Sequence, residues 1–200
     1  MIDPNKVTNP ARTPAELEEF LLFCLVVAGK NADQQAAKLE RFLAGRAPFD
    51  HIRRSAKEGR LDARLKEVKL GKYALLGRAF QELAHSGADL SAITWEELTR
   101  FPGIGIKTAK FFLLHSRAKQ MHGVLDTHVL SWMREHWLPG LSRLPVPRHS
   151  PQDPRAYRFW ETVYFGMVTA RHHGRGAPAV DWARFDLDLW RERRGSGPPA

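Results

Sequence analysis

Cysteine is almost missing from this chain. Cys24 is the single one among 200 residues, so the chain cannot build a cysteine-held zinc site or iron–sulfur cluster. It lies in the apolar run Phe20 to Val27, the setting of a small buried hydrophobe rather than of a reactive thiol. Long hydrophobic runs are missing too: nothing approaches the roughly 18 uninterrupted apolar residues of a membrane span. Met1 to Lys6 also lacks the basic-then-apolar order of a secretory signal. A soluble, intracellular protein is therefore expected. Sustained period-two alternation is absent, which argues against a sheet. Acidic residues are in deficit, with 22 Asp and Glu against 31 Lys and Arg, leaving a formal charge of +9. That surplus favours a polyanionic partner, and on charge alone DNA, RNA and acidic membranes all remain open.

What is present is helical periodicity. With 43% apolar residues, the chain can bury one substantial core or two small lobes but not several domains. Thr13, Pro14 and Glu16 form a capping box with proline at the first helical position, opening a helix through Val27. The step Ala28-Gly29-Lys30-Asn31 interrupts it, and Asp33 is expected to cap a second helix to about Leu43, closed by Gly45. Helical stretches follow from about Phe49 to Glu58, Ala63 to Val68 and Lys72 to His85, separated by Gly59, Gly71 and Gly87. Thr94 and Glu97 cap a brief helix ending near Arg100. Another helix runs from about Ile106 to Arg117, and an amphipathic one from about His128 to Trp137. Five prolines between Pro139 and Pro154 mark a loop. Arg155 to Arg171 is helical, Arg171 to Arg175 is a basic loop, Asp181 caps a last helix ending near Arg194, and the terminal residues fray.

The most informative segment is Leu98 to His128. Two short helices flank Pro102-Gly103-Ile104-Gly105, and the second opens with Lys107-Thr108-Ala109. Glycines there permit positive φ and close approach of backbone to a ligand. Consecutive amides at the turn and at the following helix start can then point at one phosphate. A hairpin of this kind grips the DNA backbone without reading sequence, although an ordinary tight helix connection has the same outline.

Phe101-Pro-Gly-Ile-Gly-Ile-Lys-Thr-Ala109 is followed, 19 residues after Lys107, by Asp126 within Val-Leu-Asp-Thr-His-Val129. This combination resembles the helix-hairpin-helix and Gly/Pro-rich-loop-Asp signature of the endonuclease III and oxoguanine glycosylase superfamily. Leu25 to Asp33 is similar to the family segment that supplies an inserted side chain, and Leu65 to Leu83 to the helix leading into the hairpin. The resemblance implies an all-α, two-lobed DNA glycosylase fold with a central cleft. One lobe would hold about 30–126, with the helix-hairpin-helix at 94–117, and the other about 1–29 plus 127–194. The chain departs from the iron–sulfur members, since Trp160 to Ala200 holds no cysteine, and it has no room for the extra sheet domain of the larger oxoguanine enzymes.

The resemblance also implies roles. Lys107 would be the nucleophile, its amine attacking the deoxyribose C1′, expelling the base and leaving a Schiff base from which β-elimination nicks the strand; a solvated phosphate contact is the plainer alternative. Asp126 would deprotonate that amine or stabilise positive charge on the sugar, and can also cap the helix from Thr127. Gly103, Gly105 and Thr108 would hold DNA phosphates, and His128 either contacts a phosphate or packs. Lys30 falls where the family places the side chain that fills the hole left by a flipped base, although relatives often carry glutamine there and a solvated lysine fits the position as well. Phe111, one turn after Lys107, is a pocket wall or a core residue. Asp186 and Trp190, four apart, offer an acceptor and a stacking surface, although an exposed Asp and a core Trp have the same spacing.

The expected function is thus base excision with strand-nicking lyase activity, on double-stranded DNA carrying a damaged or modified base, with oxidised guanine foremost. No metal or cofactor is expected. A monomer is expected, cytoplasmic and nucleoid-associated if prokaryotic, with no membrane partner. Two alternatives stand: a helix-hairpin-helix binder without chemistry, which needs neither Lys107 nor Asp126, and a monofunctional glycosylase of alkylated or modified bases that uses an Asp126-activated water.

Overall fold

Helix follows helix from Thr13 onward in the computed structural model, which describes residues 2–137, 145–172 and 179–193. Ten α-helices and no strand are found among the described residues. They are α1 (Pro14–Val27), α2 (Ala32–Leu43), α3 (Pro48–Lys57), α4 (Leu61–Glu67) and α5 (Tyr73–His85), then α6 (Trp95–Leu98), α7 (Ile106–Ser116), α8 (Thr127–Glu135), α9 (Pro154–His172) and α10 (Trp182–Arg193). None is long and apolar enough to cross a membrane.

Local chemistry accounts for most boundaries. Both capping boxes form: Thr13 with Glu16 opens α1 and Thr94 with Glu97 opens α6, each pair satisfying two amides that the helix start leaves without partners. Asp181 accepts the Arg184 amide at 3.1 Å and starts α10. The cap of α2 is a correction. Asn31, not Asp33, has the extended backbone and accepts from Gln34 N at 3.0 Å, so Asp33 lies inside the first turn, where its charge suits the helix dipole. Helix α8 also starts earlier than expected and ends at Glu135. The loop expected over 139–154 is non-helical at 145–153, and its residues 139–144 lie outside the described residues, as do 173–175 of the basic loop and the tail from 194; Arg171 and His172, expected in that basic loop, instead continue α9.

Two hydrophobic clusters organise the helices. The first gathers side chains of α1 to α7 with Leu187 of α10; the second gathers Ile106, Leu125 and Val146 with α8, α9 and Leu189. Helix α1 is buried almost all round, from Phe20 through Val26, and packs on α2, α3, α5 and α7. Its core side chains thus belong with the first cluster, whereas the sequence division grouped 1–29 with 127–194. A helix that is apolar on every face carries no stripe to say which neighbour it meets. Helix α7 serves both clusters, Ile106 in one and Ala109, Phe112 and Leu113 in the other. Lys107 therefore sits on the seam.

Candidate active site

The hairpin is built by short-range bonds. Phe101 N donates to Leu98 O at 3.1 Å and Ile104 N to Phe101 O at 3.2 Å, turning the chain from α6 into α7. The two glycines differ. Gly103 has φ +77°, a left-handed backbone that suits glycine, and a Cβ there would touch Leu75 at 3.4 Å. Gly105 has φ −88°, which any residue adopts, and a Cβ there would meet only Gln152 Oε1 at 3.8 Å. The expectation of positive φ thus holds for Gly103 alone. Among the described residues nothing requires a bare backbone at Gly105. Gly105 caps α7 without a side chain, so the first amides of that helix receive no N-cap side-chain hydrogen bond. Thr108 is buried, so its side chain belongs to the packing.

Lys107, Phe111 and His115 follow one another at one-turn spacing on α7. Lys107 is half-buried. Its charge reaches Cys24 on α1, whose thiol burial raises far above the ordinary range, Arg12 and Lys107 opposing that shift. Phe111 packs between Phe20, at 6.0 Å, and the His115 ring, at 4.6 Å. Trp190 is partly buried against the first cluster. Asp186 is not an exposed acceptor. It is buried, and its Oδ2 bonds His115 Nε2 at 3.0 Å, while His115 Nδ1 bonds the Thr8 hydroxyl at 2.8 Å.

Asp126 is the N-cap of α8, its Oδ1 accepting Val129 N at 2.8 Å. Burial raises its pKa above the ordinary carboxylate value, and the neighbouring Asp186 carboxylate adds to the rise. The Val129 amide, His128 and Lys107 pull in the other direction. Lys107, Asp126, His128 and Asp186 thus share one electrostatic neighbourhood. His128 itself is half-buried.

The segment leading into Asp126 rests on residues that the sequence reading did not single out. Gly123 N donates to Glu161 Oε1 at 2.8 Å. One turn earlier on α9, the Tyr157 hydroxyl donates to Gly123 O at 2.8 Å and accepts from Leu125 N at 3.0 Å. Both Glu161 oxygens accept from Lys110 Nζ at 2.6 Å, in a buried pair. The Lys110 ammonium also lies 5.4 Å from the Trp95 and the Tyr157 ring centroids. The available signal was weak: a lysine and a glutamate, each inside an otherwise apolar helix face.

Lys30 is turned inward. Its ammonium donates to the Leu70 carbonyl, while Lys72 Nζ donates to Ala28 O at 3.4 Å. Desolvation, then the charges of Lys72 and Lys38, lower the Lys30 pKa. To enter a duplex, Lys30 would first have to release Leu70. Cavities of about 360 Å³ beside Asp89, Glu97 and Arg100, and of about 650 Å³ beside Arg54, Lys57 and His85, are not lined by Lys107 or Asp126. Among the described residues no group of three or more His, Cys, Asp or Glu side chains is arranged to hold a metal ion. No family model, curated protein or solved structure matches this chain.

Proposed function

We propose that the chain is a helix-hairpin-helix DNA glycosylase with lyase activity, acting on a damaged or modified base in double-stranded DNA. The observation that carries the reading is the half-buried amine of Lys107, at the start of an uncapped helix directly after a glycine hairpin, within electrostatic reach of the Asp126 carboxylate. The amides at the α7 start and the bare backbone at Gly105 suit a phosphate, which brings the sugar toward Lys107. Phe111 and Trp190 are the aromatic candidates for the wall of a flipped base.

In this reading the nitrogen of Lys107 forms a bond to C1′ as the glycosidic bond breaks, the base leaving with the bonding pair and taking up a proton. Asp126 accepts the amine proton or stabilises the cationic sugar. Opening of the sugar gives an iminium. Loss of a C2′ proton then expels the 3′ phosphate and nicks the strand.

The test is incubation with duplexes carrying single oxidised, alkylated or deaminated bases in the presence of borohydride, oxidised guanine first. Base release, nicking and a covalent protein–DNA adduct that Lys107→Gln abolishes are the expected results. An adduct that survives Lys107→Gln assigns the chemistry to another amine. Base release with neither adduct nor nick assigns it to a water activated by Asp126.

A further inference from the structure

Glu161 and Tyr157 hold the approach to Asp126 from one side, and Lys110 holds Glu161 from the other, one turn after Lys107 on the same helix. From this geometry we infer that Lys110, Glu161 and Tyr157 are positioning residues that fix the Asp126 carboxylate relative to the Lys107 amine. The inference rests on the glycosylase reading above.

Each part of the brace is placed to act on that separation. The three residues before Asp126, Gly123 to Leu125, lie in no regular element. Two of their amides and one carbonyl are taken by side chains of α9, 32 to 38 residues further along the chain. Asp126 N itself donates to Val124 O at 2.7 Å, so the acid follows directly from the braced turn. The glutamate that binds Gly123 is the one that Lys110 binds with both oxygens. A displacement of the Asp126 segment is therefore a displacement against α7 and its lysine. Gly123 completes the arrangement: a Cβ there would stand 2.9 Å from Glu161 Cγ and 3.2 Å from Tyr164 Cδ1. The lack of a side chain is what lets the braced segment lie against α9.

A buried ion pair is a poor device for stability alone, because well-packed apolar residues of similar volume serve as well or better. It does supply direction, since two charge-assisted bonds and the Gly123 amide fix a carboxylate far more narrowly than dispersion contacts do. Alignment of reacting groups is sensitive on that scale, with a misplacement of about 1 Å costing roughly 100-fold in rate.

Tyr157→Phe tests this, because it keeps the ring and removes only the hydroxyl that holds Gly123 and Leu125. The lesion that the unaltered chain excises serves as substrate, and a duplex with a preformed abasic site serves as second probe. Single-turnover base release should fall by roughly 10- to 100-fold, while DNA affinity stays near that of the unaltered chain and the melting temperature falls by about a few degrees, since two buried backbone groups lose their partner. Borohydride trapping on the abasic duplex should fall much less, because forming an imine from an open aldehyde needs less help from Asp126 than expelling a base. The double variant Lys110→Gln with Glu161→Gln removes both charge-assisted bonds while keeping hydrogen-bonding atoms, and should lower release in the same direction as Tyr157→Phe, with abasic trapping again reduced less. Release unchanged in Tyr157→Phe overturns the positioning role. So does a loss shared equally by release, abasic trapping, affinity and melting, which marks a merely structural contact. If the unaltered chain neither releases a base nor forms an adduct on any probe, the glycosylase reading fails, and the positioning role with it.

Discussion

The hairpin that presents Lys107 and the segment that presents Asp126 meet at one seam but are held there by different means. Around Lys107 the bonds run between near neighbours, Leu98 to Phe101 and Phe101 to Ile104, with Thr94 and Glu97 capping the preceding helix. Around Asp126 the local bonds are few, and the segment hangs on Tyr157 and Glu161 across 32 and 38 residues. The backbone bonds of the first region thus close within about ten residues, whereas those of the second depend on side chains of α9. In the proposed reading the hairpin grips the DNA backbone and the braced segment fixes one carboxylate.

Asp126→Asn should break that contrast most completely. Asparagine caps a helix about as well as aspartate, so the Val129 bond survives while the negative charge is lost. Excision should drop about 100-fold or more, with DNA affinity retained. A pKa raised by burial and by Asp186 means that the charged form is disfavoured in the folded chain. Neutralising Asp126 should therefore leave the melting temperature unchanged or higher, and a marked fall would show that its charge supports the fold.

The glycines sharpen the other half. Gly103→Ala places a Cβ on a left-handed backbone beside Leu75, which should cost about 1 to 2 kcal/mol of stability and weaken binding to lesion and plain DNA alike. Gly105→Ala meets ordinary φ and at most van der Waals contact with Gln152 Oε1 at 3.8 Å, so denaturation should be little affected while DNA affinity falls several-fold. Intact affinity in a stable Gly105→Ala protein would remove the phosphate from that turn.

What could be read from the sequence follows the same division. The capping boxes of α1 and α6, the hairpin, and the start of α7 are written in adjacent residues, and they formed as expected. Asn31 and Asp33 are both good caps two positions apart, and only the backbone path chose Asn31. The i, i+4 spacing of Asp186 and Trp190 gave a helix face without saying what lies against it. Asp186 in fact faces His115, 71 residues away, and is spoken for by that imidazole. The brace of Lys110, Tyr157 and Glu161 belongs to the same class, because no local pattern reports a contact between α7 and α9.

A smaller effect should appear in the pH profile. Because burial and Asp186 raise Asp126, the acidic limb of single-turnover excision should lie above the ordinary aspartate range. The groups that act on or sense Asp126 are Lys107 on α7, His128 on α8, Asp186 and Arg193 on α10, and Tyr157 and Tyr164 on α9. Asp186→Asn removes the one charge among them that raises Asp126 further, so the limb should move to lower pH. A limb that stays put would separate the two carboxylates.

The smallest expected effect concerns the far end of α8, where Glu135 accepts from Arg193 of α10 at 2.8 and 2.5 Å. The arginine holds the Glu135 carboxyl down at about 2, from an ordinary 4.5. A depressed carboxylate contributes stability that is present above its unfolded pKa and is lost as pH falls toward the folded one. The window here is therefore about 4.5 down to about 2. Half of the glutamate side chain is exposed, so solvent screening reduces the contribution to about 1 kcal/mol or less at neutral pH. Glu135→Gln should lower stability by no more than that near pH 7, by progressively less on acidification, and less again in high salt. Excision should be unchanged, because Glu135 lies at the opposite end of α8 from Asp126 and Arg193 keeps its charge. If the variant slowed excision at full DNA affinity, the placement of Asp126 would depend on the whole of α8 and not on the segment that α9 holds.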